Sequence, residues 1–237
     1  MKPLFRSFLM FFRQIYKDSM LSAALAGCVL AAFFFRFGVP VLERVLCSYF
    51  GKAAILAPYY LLFDLFLSLI TPYLFLFVSA MVMLSEYDEN LSSYLAVTPV
   101  GKRGYIVSRL VFPAAASLFV SLLFLRLFSL TGWRLLPAVT TCLLTSLSSL
   151  AAALLIFSFS HNRVEGMAMA KMSGLLMLGL PVPFFLSSGV SWLFCPLPSF
   201  WIAKLCLESN PLFLPPALLT AAAWIWLLCR RLAGKLA

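Results

Sequence analysis

Six long apolar segments, separated by short polar ones, follow one another along the chain. They cover roughly residues 19–42, 57–84, 108–130, 135–160, 167–188 and 212–230. A helix needs about 20 apolar residues to cross a bilayer. The segments are also too long and too uniformly apolar for the alternating strands of a membrane barrel. The pattern therefore predicts an all-α fold, a polytopic membrane bundle of six transmembrane helices that forms a single domain over residues 1–237.

Composition supports a membrane protein. Of the 237 residues, 63% are hydrophobic and only 11% are charged, whereas soluble domains carry about 25% charged residues. The net charge of +10 is spread over short clusters between the apolar segments and not over one basic tract. The charge therefore indicates membrane topology, with the lipid bilayer as a partner and no nucleic acid.

The distribution of Lys and Arg predicts the orientation of the bundle. If both termini lie on one side, that side holds twelve of the 18 basic residues and the other side holds six. The positive-inside rule then places both termini in the cytoplasm. We expect a multi-pass protein of the cell (plasma) membrane.

The first 18 residues predict an amphipathic helix in the cytoplasmic interface. At 100° per residue, Lys2, Arg6, Arg13 and Lys17 fall on one narrow edge, and phenylalanines occupy the broad opposite side. Such a helix lies flat, with its basic edge on lipid phosphates. The alternative is a merely basic terminus before the first span.

A second amphipathic helix is predicted over residues 86–98, between spans two and three. Glu86, Asp88 and Glu89 come in its first turn, where the helix dipole favours negative charge. Thr98-Pro99 ends it, because a residue before proline avoids the helical region. From the residues alone, an ordinary surface helix between two spans is an equal alternative.

The runs Glu86-Tyr87-Asp88-Glu89, Leu95-Ala96-Val97-Thr98-Pro99 and Tyr105-Ile106-Val107-Ser108-Arg109 resemble the loop after the second span of type-2 ABC transporter permeases. The plan of the chain is similar to the small six-span drug- or peptide-exporter permeases of that family. The resemblance implies that residues 86–98 form a coupling helix, which docks in a cleft of a separate ATP-binding-cassette ATPase subunit. The coupling residues it implies are Glu86, Asp88, Glu89, Tyr94, Leu95, Thr98 and Pro99.

The resemblance implies further features. The second inner loop would approach the same ATPase through His161, Asn162, Arg163 and Glu165. A second permease chain, identical or related, would complete the substrate path. ATP and magnesium would be bound by the ATPase subunit, so no cofactor is expected in this chain.

The outer segment 189–211 is rich in proline and tryptophan. Pro198 through Glu208 predicts a short helix, with proline near its start and Asn210-Pro211 after its end. The resemblance implies that short helices here dip back into the outer leaflet. A plain proline-rich outer loop is the alternative.

Motifs for catalysis are missing from the sequence. No stretch matches the Gly-x4-Gly-Lys-Ser/Thr phosphate loop or the metalloprotease His-Glu-x-x-His. The one histidine, His161, is expected to be an interfacial polar group and not a metal ligand. We therefore expect no enzyme activity, no catalytic residue and no metal site. The alternatives to a permease are a non-transporting membrane scaffold or, less favoured, an intramembrane enzyme.

Three charges fall inside the apolar segments: Arg36, Asp64 and Arg126. At 1.5 Å per residue they lie about 6 to 10 Å below the outer ends of spans one, two and three. Charges in a membrane usually face the bundle and pair. One hypothesis is that Asp64 forms an ion pair with Arg36 or Arg126. The other is that both arginines snorkel outward and Asp64 is protonated or hydrated in a cavity.

Overall fold

The computed structural model describes residues 13–89, 101–186 and 188–235. These three ranges contain helices and no strand, which confirms the all-α prediction. In chain order the α-helices are α1 (Ser19–Phe33), α2 (Val39–Phe50), α3 (Tyr60–Asp88), α4 (Gly101–Ile106), α5 (Phe112–Phe128), α6 (Leu135–Phe159), α7 (Arg163–Ser173), α8 (Val182–Phe185), α9 (Ser188–Ser191), α10 (Pro198–Glu208) and α11 (Leu214–Lys235).

Five continuous helical stretches in these ranges are long and apolar enough to cross a membrane. They are Ser19–Phe50, Ala57–Asp88, Gly104–Phe128, Leu135–Phe159 and Pro211–Leu232. They correspond to five of the six predicted spans, and the protein is therefore a multi-pass membrane protein.

Proline explains the irregularities within two of these stretches. α1 passes into α2 through the π-helical turn Phe34–Gly38, which precedes Pro40. The turn Val107–Val111 joins α4 to α5 in the same way and precedes Pro113. A proline cannot donate the backbone hydrogen bond of a regular helix, and a π-helical turn accommodates the missing bond without ending the helix.

The prediction of a continuous fifth span over 167–188 is wrong. α7 ends at Ser173, a 3₁₀ turn follows over Gly174–Met177, and only the short α8 comes after it. Pro181 lies just before α8 and Pro183 lies within it. Two prolines and two glycines within ten residues of one another oppose a regular helix, which overrides the apolar composition.

The broken segment nevertheless runs alongside α3. At its start, Gly166 lies against the side chains of Leu84 and Met81, near the end of α3. In the middle of α3, the Tyr73 hydroxyl donates to the Ala170 carbonyl at 3.0 Å. Further along, Leu180 and Val182 pack in one cluster with residues from the first turns of α3, Leu62 and Leu65.

α3 and α6 form the centre of the bundle. In their most apolar windows, 67% and 72% of the residues are buried, against 17–28% for the other three long stretches. Small residues on α6, such as Ser148 and Ala151 to Ala153, let the helix backbones approach closely. The remaining helices surround this pair and leave large apolar side chains exposed, as a lipid-facing surface requires.

A helix occupies Pro198–Glu208, as the sequence predicts, and its first six residues are buried. Ser209 ends it in the left-handed conformation at a φ of 51°. The Trp201 indole donates to the Cys195 carbonyl at 2.8 Å. The segment 189–211 is therefore folded against the bundle and is not a plain loop, whereas its dip into the outer leaflet stays a prediction.

The first 12 residues of the predicted interfacial helix lie outside the described residues. Residues 13–17 are helical, and Ile15 is buried in the main hydrophobic cluster. All six cysteines are free thiols.

Replacing Gly179 with Ala should destabilise the protein. A Cβ at this position would lie 2.5 Å from the Phe200 backbone nitrogen and would also clash with the Ser199 hydroxyl. Overpacking of this kind costs about 1–3 kcal/mol. We expect a lower melting temperature in detergent for Gly179→Ala. Gly174→Ala is the matched control, because nothing lies within 4 Å of its Cβ position. Equal melting temperatures of the two variants would contradict the close approach of Gly179 to the Phe200 backbone.

Candidate functional site

One end of the bundle, here called the Asp88 end, is where α3 finishes at Asp88 and α6 finishes at Phe159. It holds the predicted contact residues of the two loops as far as the structure describes them: Glu86, Asp88, Glu89, His161, Asn162, Arg163 and Glu165. Glu86 and Asp88 belong to the last turn of α3, and Glu89 caps it. The start of the predicted coupling helix is therefore continuous with span two, because no helix-breaking residue separates Leu84 from Asp88. Tyr94, Leu95, Thr98 and Pro99 lie outside the described residues, so the coupling helix stays a prediction.

Glu86 forms a buried ion pair with Arg109. Their exposed fractions are 3% and 1%. The Arg109 Nε lies 3.0 Å from Oε2 of Glu86, and its Nη2 lies 2.5 Å from Oε1. This bidentate, charge-assisted geometry is the strongest that a guanidinium and a carboxylate adopt. The pair joins the end of α3 to the π-helical turn before α5, and so clamps these two parts of the bundle together.

The structure shows a contact of Glu86 within the bundle, and its role in coupling stays a prediction. Its carboxylate faces the bundle and binds Arg109, so it does not present a free charge at the surface. Arg109 was recognised only as the end of a sequence motif. The pairing could have been anticipated, because an acid just before a loop and a base just after it often meet across the loop.

The second inner loop starts α7 with reciprocal caps. Asn162 Oδ1 accepts from the Glu165 backbone N–H at 2.8 Å, and Glu165 Oε2 accepts from the His161 N–H at 2.7 Å. This resembles a capping box with asparagine as the cap, except that Glu165 accepts from the N–H of the residue before the cap, His161. Asn162 and Glu165 thus stabilise the loop in this conformation, and His161 takes part through its backbone.

Arg163 ties this loop to the beginning of α1. Its Nη2 lies 2.5 Å from Oδ2 of Asp18, whose Oδ1 accepts from the Met20 N–H at 3.0 Å as the N-cap of α1. Partial burial raises the pKa of Asp18, but the hydrogen bonds from Arg163 and from the backbone outweigh it, and the pKa is lowered. The carboxylate therefore stays charged and holds α1 against the second loop.

Lys235 contributes a further contact that the sequence did not predict. Its Nζ donates to the Phe157 carbonyl at 2.5 Å, at the end of α6, and lies 4.6 Å from the centre of the Tyr87 ring. Burial lowers the pKa of Lys235 to about 8, and the charges of Glu165 and Asp88 act in the opposite direction. A lysine in the last turn of the last helix could have suggested such a cap.

An open cleft of about 410 Å³ lies at the Asp88 end. It is bordered by the helical residues 13–17, the start of α1, the end of α3 and the start of α7. The polar side chains that line it are Gln14, Lys17, Asp18, Ser19, Ser85, Glu89 and Arg163. The structure thus brings together two of the predicted contact residues, Glu89 and Arg163, from the two inner loops.

At the opposite end of the bundle, here called the Asp64 end, the predicted ion pair of Asp64 is wrong. Asp64 is fully buried and accepts from the Leu130 N–H at 2.8 Å, the Thr131 N–H at 2.9 Å and the Trp133 indole at 3.0 Å. The Thr131 hydroxyl is a fourth donor. No ion pair links Asp64 to an arginine within the described ranges.

Both arginines bind the same loop as Asp64. Arg36 Nη1 donates to the Ser129 carbonyl at 2.7 Å, and Arg126 Nη1 donates to the Trp133 carbonyl at 3.1 Å. The three predicted charges thus converge on Ser129–Trp133, between α5 and α6, without pairing directly. The physical reason is that a loop at this depth exposes backbone N–H and C=O groups that lipid cannot satisfy.

Glu43, which the sequence analysis did not single out, also binds backbone groups of a loop, the one that precedes α3. Its carboxylate accepts from the backbone N–H groups of Ile55, Leu56 and Ala57 at 3.0, 2.6 and 3.3 Å. Within the described ranges no group of three His, Cys, Asp or Glu side chains could hold a metal ion.

Comparison with known proteins assigns a family. The family model "Fluoroquinolones export permease protein Rv2686c-like" matches residues 11–233. The curated protein "Fluoroquinolones export permease protein Rv2686c" of Mycobacterium tuberculosis (strain ATCC 25618 / H37Rv) is 28% identical over 169 residues. The protein named MT2760, from strain CDC 1551 / Oshkosh, is equally similar.

The match covers 67% of this chain and 66% of each relative, slightly less than two thirds of their length. No solved structure matches the chain significantly. The expected resemblance to an exporter permease family is confirmed by the family match.

Replacing Glu86 with Gln should lower the free energy of unfolding by about 3 kcal/mol, because Arg109 then keeps a buried charge without its carboxylate. Glu89→Gln, three residues along and exposed, is the control and should change it by less than about 0.5 kcal/mol. Denaturant or thermal unfolding in detergent measures both. Similar values for the two variants would contradict the clamp.

Asp64→Asn should also destabilise the protein, by about 2 kcal/mol or more. The side-chain NH₂ group of asparagine would replace one carboxylate oxygen, and the loop donors that bind this oxygen would lose their acceptor. A shift of Trp133 fluorescence should accompany the loss, since its indole binds Asp64. Glu208→Gln is the matched control, because among the described residues its ion-pair partner is Lys204, at 3.8 Å on the surface. An unchanged Trp133 signal in Asp64→Asn would count against the loop anchor.

Proposed function

Because the chain belongs to the Rv2686c-like family of fluoroquinolones export permease proteins, we propose that it is the membrane-spanning permease subunit of an ATP-binding-cassette exporter. In this proposal a separate ATPase subunit binds ATP and magnesium and docks at the Asp88 end. A second permease chain, identical or related, completes the substrate path. The names of the relatives make fluoroquinolones the first substrates to test.

The proposal includes a topology with both termini in the cytoplasm. Lys235 at the end of α11 contacts Phe157 at the end of α6, so these two helices end on the same side. The chain between them must therefore return to the opposite side. We assign this additional crossing to the broken segment 163–185, which runs alongside α3 from Leu84 toward Leu62.

The buried pair of Glu86 and Arg109 is the observation that best supports coupling at the Asp88 end. A helix carried on the segment 90–100 would be attached to the bundle at both ends through this pair. Because the pair is buried and bidentate, displacement of the segment by an ATPase would move the end of α3 and the beginning of α5 together. A loop attached by flexible ends would absorb such a movement instead.

The cleft beside this pair supports the docking surface. Glu89 and Arg163 come from the two inner loops and both line the cleft, together with Lys17 from the helical residues before α1. Charges of both signs in an open cleft suit a partner surface of complementary pattern. Docking there would contact three parts of the bundle at once, and so would bias their relative positions.

Leu95→Asp should weaken the complex with the ATPase subunit without preventing membrane insertion. A buried interface anchor contributes about 2 kcal/mol or more, and an unpaired carboxylate adds a desolvation cost. Ser93→Asp is the control, because at 100° per residue Ser93 lies on nearly the opposite side of the predicted helix. Co-purification with a candidate ATP-binding-cassette ATPase subunit, co-expressed with each variant, measures both.

Equal recovery of the ATPase with both variants would contradict docking through the Leu95 face. The wild-type chain alone should not hydrolyse ATP, and the complex should. Robust ATP hydrolysis by the pure chain would overturn the proposal that a separate subunit is the ATPase. Fluoroquinolone efflux that depends on both subunits would separate an exporter from a non-transporting scaffold.

A further inference from the structure

A groove on the lateral surface of the bundle lies between α5 and α6, near the Asp64 end. Its volume is about 180 Å³. Its apolar walls are formed by Phe119, Leu122, Leu123, Trp133, Leu135 and Ala138. Arg126 is the one charged side chain that lines it, and we call it the Arg126 groove.

The groove opens toward the surroundings of the bundle and not toward its centre. The exposed fractions of Phe119 and Leu135 are 68% and 65%. Both lie on helical stretches that are apolar enough to cross a membrane. In the bilayer the groove therefore faces hydrocarbon, and a soluble ligand would reach it only through the lipid.

Arg126 places a positive charge at the end of the groove where α5 finishes. Its Nη1 donates to the Trp133 carbonyl at 3.1 Å, and a guanidinium carries five N–H donors in all. Arg134, which follows Trp133 in the chain, is also exposed. No acidic side chain lines the groove. Asp64 is close by, but it lies behind Trp133 and is fully buried.

We infer that the Arg126 groove binds a phospholipid with an anionic headgroup. The phosphate would accept hydrogen bonds from the remaining donors of Arg126, and one acyl chain would lie along Leu123, Phe119 and Ala138. The apolar walls favour a lipid over a free anion, because an acyl chain already lies in hydrocarbon, whereas a free anion would have to leave water to reach a groove in the bilayer. The positive rim favours an anionic headgroup over a zwitterionic one.

Such a lipid would stabilise the Asp64 end. Arg126 holds the Trp133 carbonyl, and the Trp133 indole donates to Asp64. A phosphate on Arg126 would fix its side chain and therefore the loop Ser129–Trp133, which joins α5 to α6. This inference requires only a membrane protein and does not rest on ATPase coupling.

The test uses the full chain, purified in mild detergent and delipidated, and titrated with phosphatidylglycerol or phosphatidylcholine during native mass spectrometry. We expect phosphatidylglycerol to bind more tightly and to raise the melting temperature. Arg126→Gln should weaken phosphatidylglycerol binding about fivefold, the equivalent of about 1 kcal/mol per arginine at a lipid surface. Arg44→Gln, an exposed arginine outside the groove, should leave it unchanged.

Further variants and ligands distinguish a bound lipid from other occupants of the Arg126 groove. Arg126→Lys keeps the charge and should retain the preference for phosphatidylglycerol, which guards against loss of folding in Arg126→Gln. Equal binding of both lipids, or equal effects of Arg126→Gln and Arg44→Gln, would show nonspecific lipid contact and overturn the inference. Equally tight binding of glycerol phosphate would show an anion site without the acyl chain. Disulfide cross-linking of Phe119→Cys between two copies would show that a second chain covers the groove.

Discussion

A carboxylate inside a membrane bundle must find hydrogen-bond donors, because neither lipid nor the apolar core supplies any. α3 carries two such carboxylates, Asp64 near its beginning and Glu86 near its end, and the described structure satisfies both. Asp64 accepts from four donors on the loop Ser129–Trp133. Glu86 accepts both arms of the Arg109 guanidinium. α3 is thereby bound at each end to α5 or its flanking turns.

These two anchors explain why α3 is suited to carry movement through the bundle. It is one of the two central helices, and it touches the broken segment along most of its length through Leu84, Tyr73 and Leu62. A packed core shifts between discrete arrangements more readily than it deforms. In the proposed transporter, a push at the Asp88 end would reach the loop at the Asp64 end along α3, which is continuous through Pro72 and is held by a carboxylate at each end.

The sequence was sufficient to predict the helices that follow from local composition. It was not sufficient to predict contacts with residues far along the chain. Five apolar segments became continuous helices, and Pro198–Glu208 became a helix. The segment 167–188 did not, because local proline and glycine outweigh average hydropathy. The predicted depth of Asp64 leaves open what lies beside it. Its donors are two backbone amides, a hydroxyl and an indole of a loop 66 or more residues away, and no local pattern around Asp64 reveals them.

Both ends of the bundle hold charges in contacts within the chain, but the Asp88 end also has an open cleft lined by charges, which supports the proposed docking there. At the Asp64 end, Asp64, Arg36 and Arg126 all bond to one loop of the same chain. At the Asp88 end, Glu89 and Lys17 line an open cleft of about 410 Å³ instead. Charged side chains that bond to a loop of the same chain hold that loop in place. Charged side chains that line an open cleft can contact the surface of another protein. In the proposed transporter, an ATPase subunit that docks in this cleft would contact α1, α3 and α7 together, and Glu86 and Arg109 would pass its displacement inward.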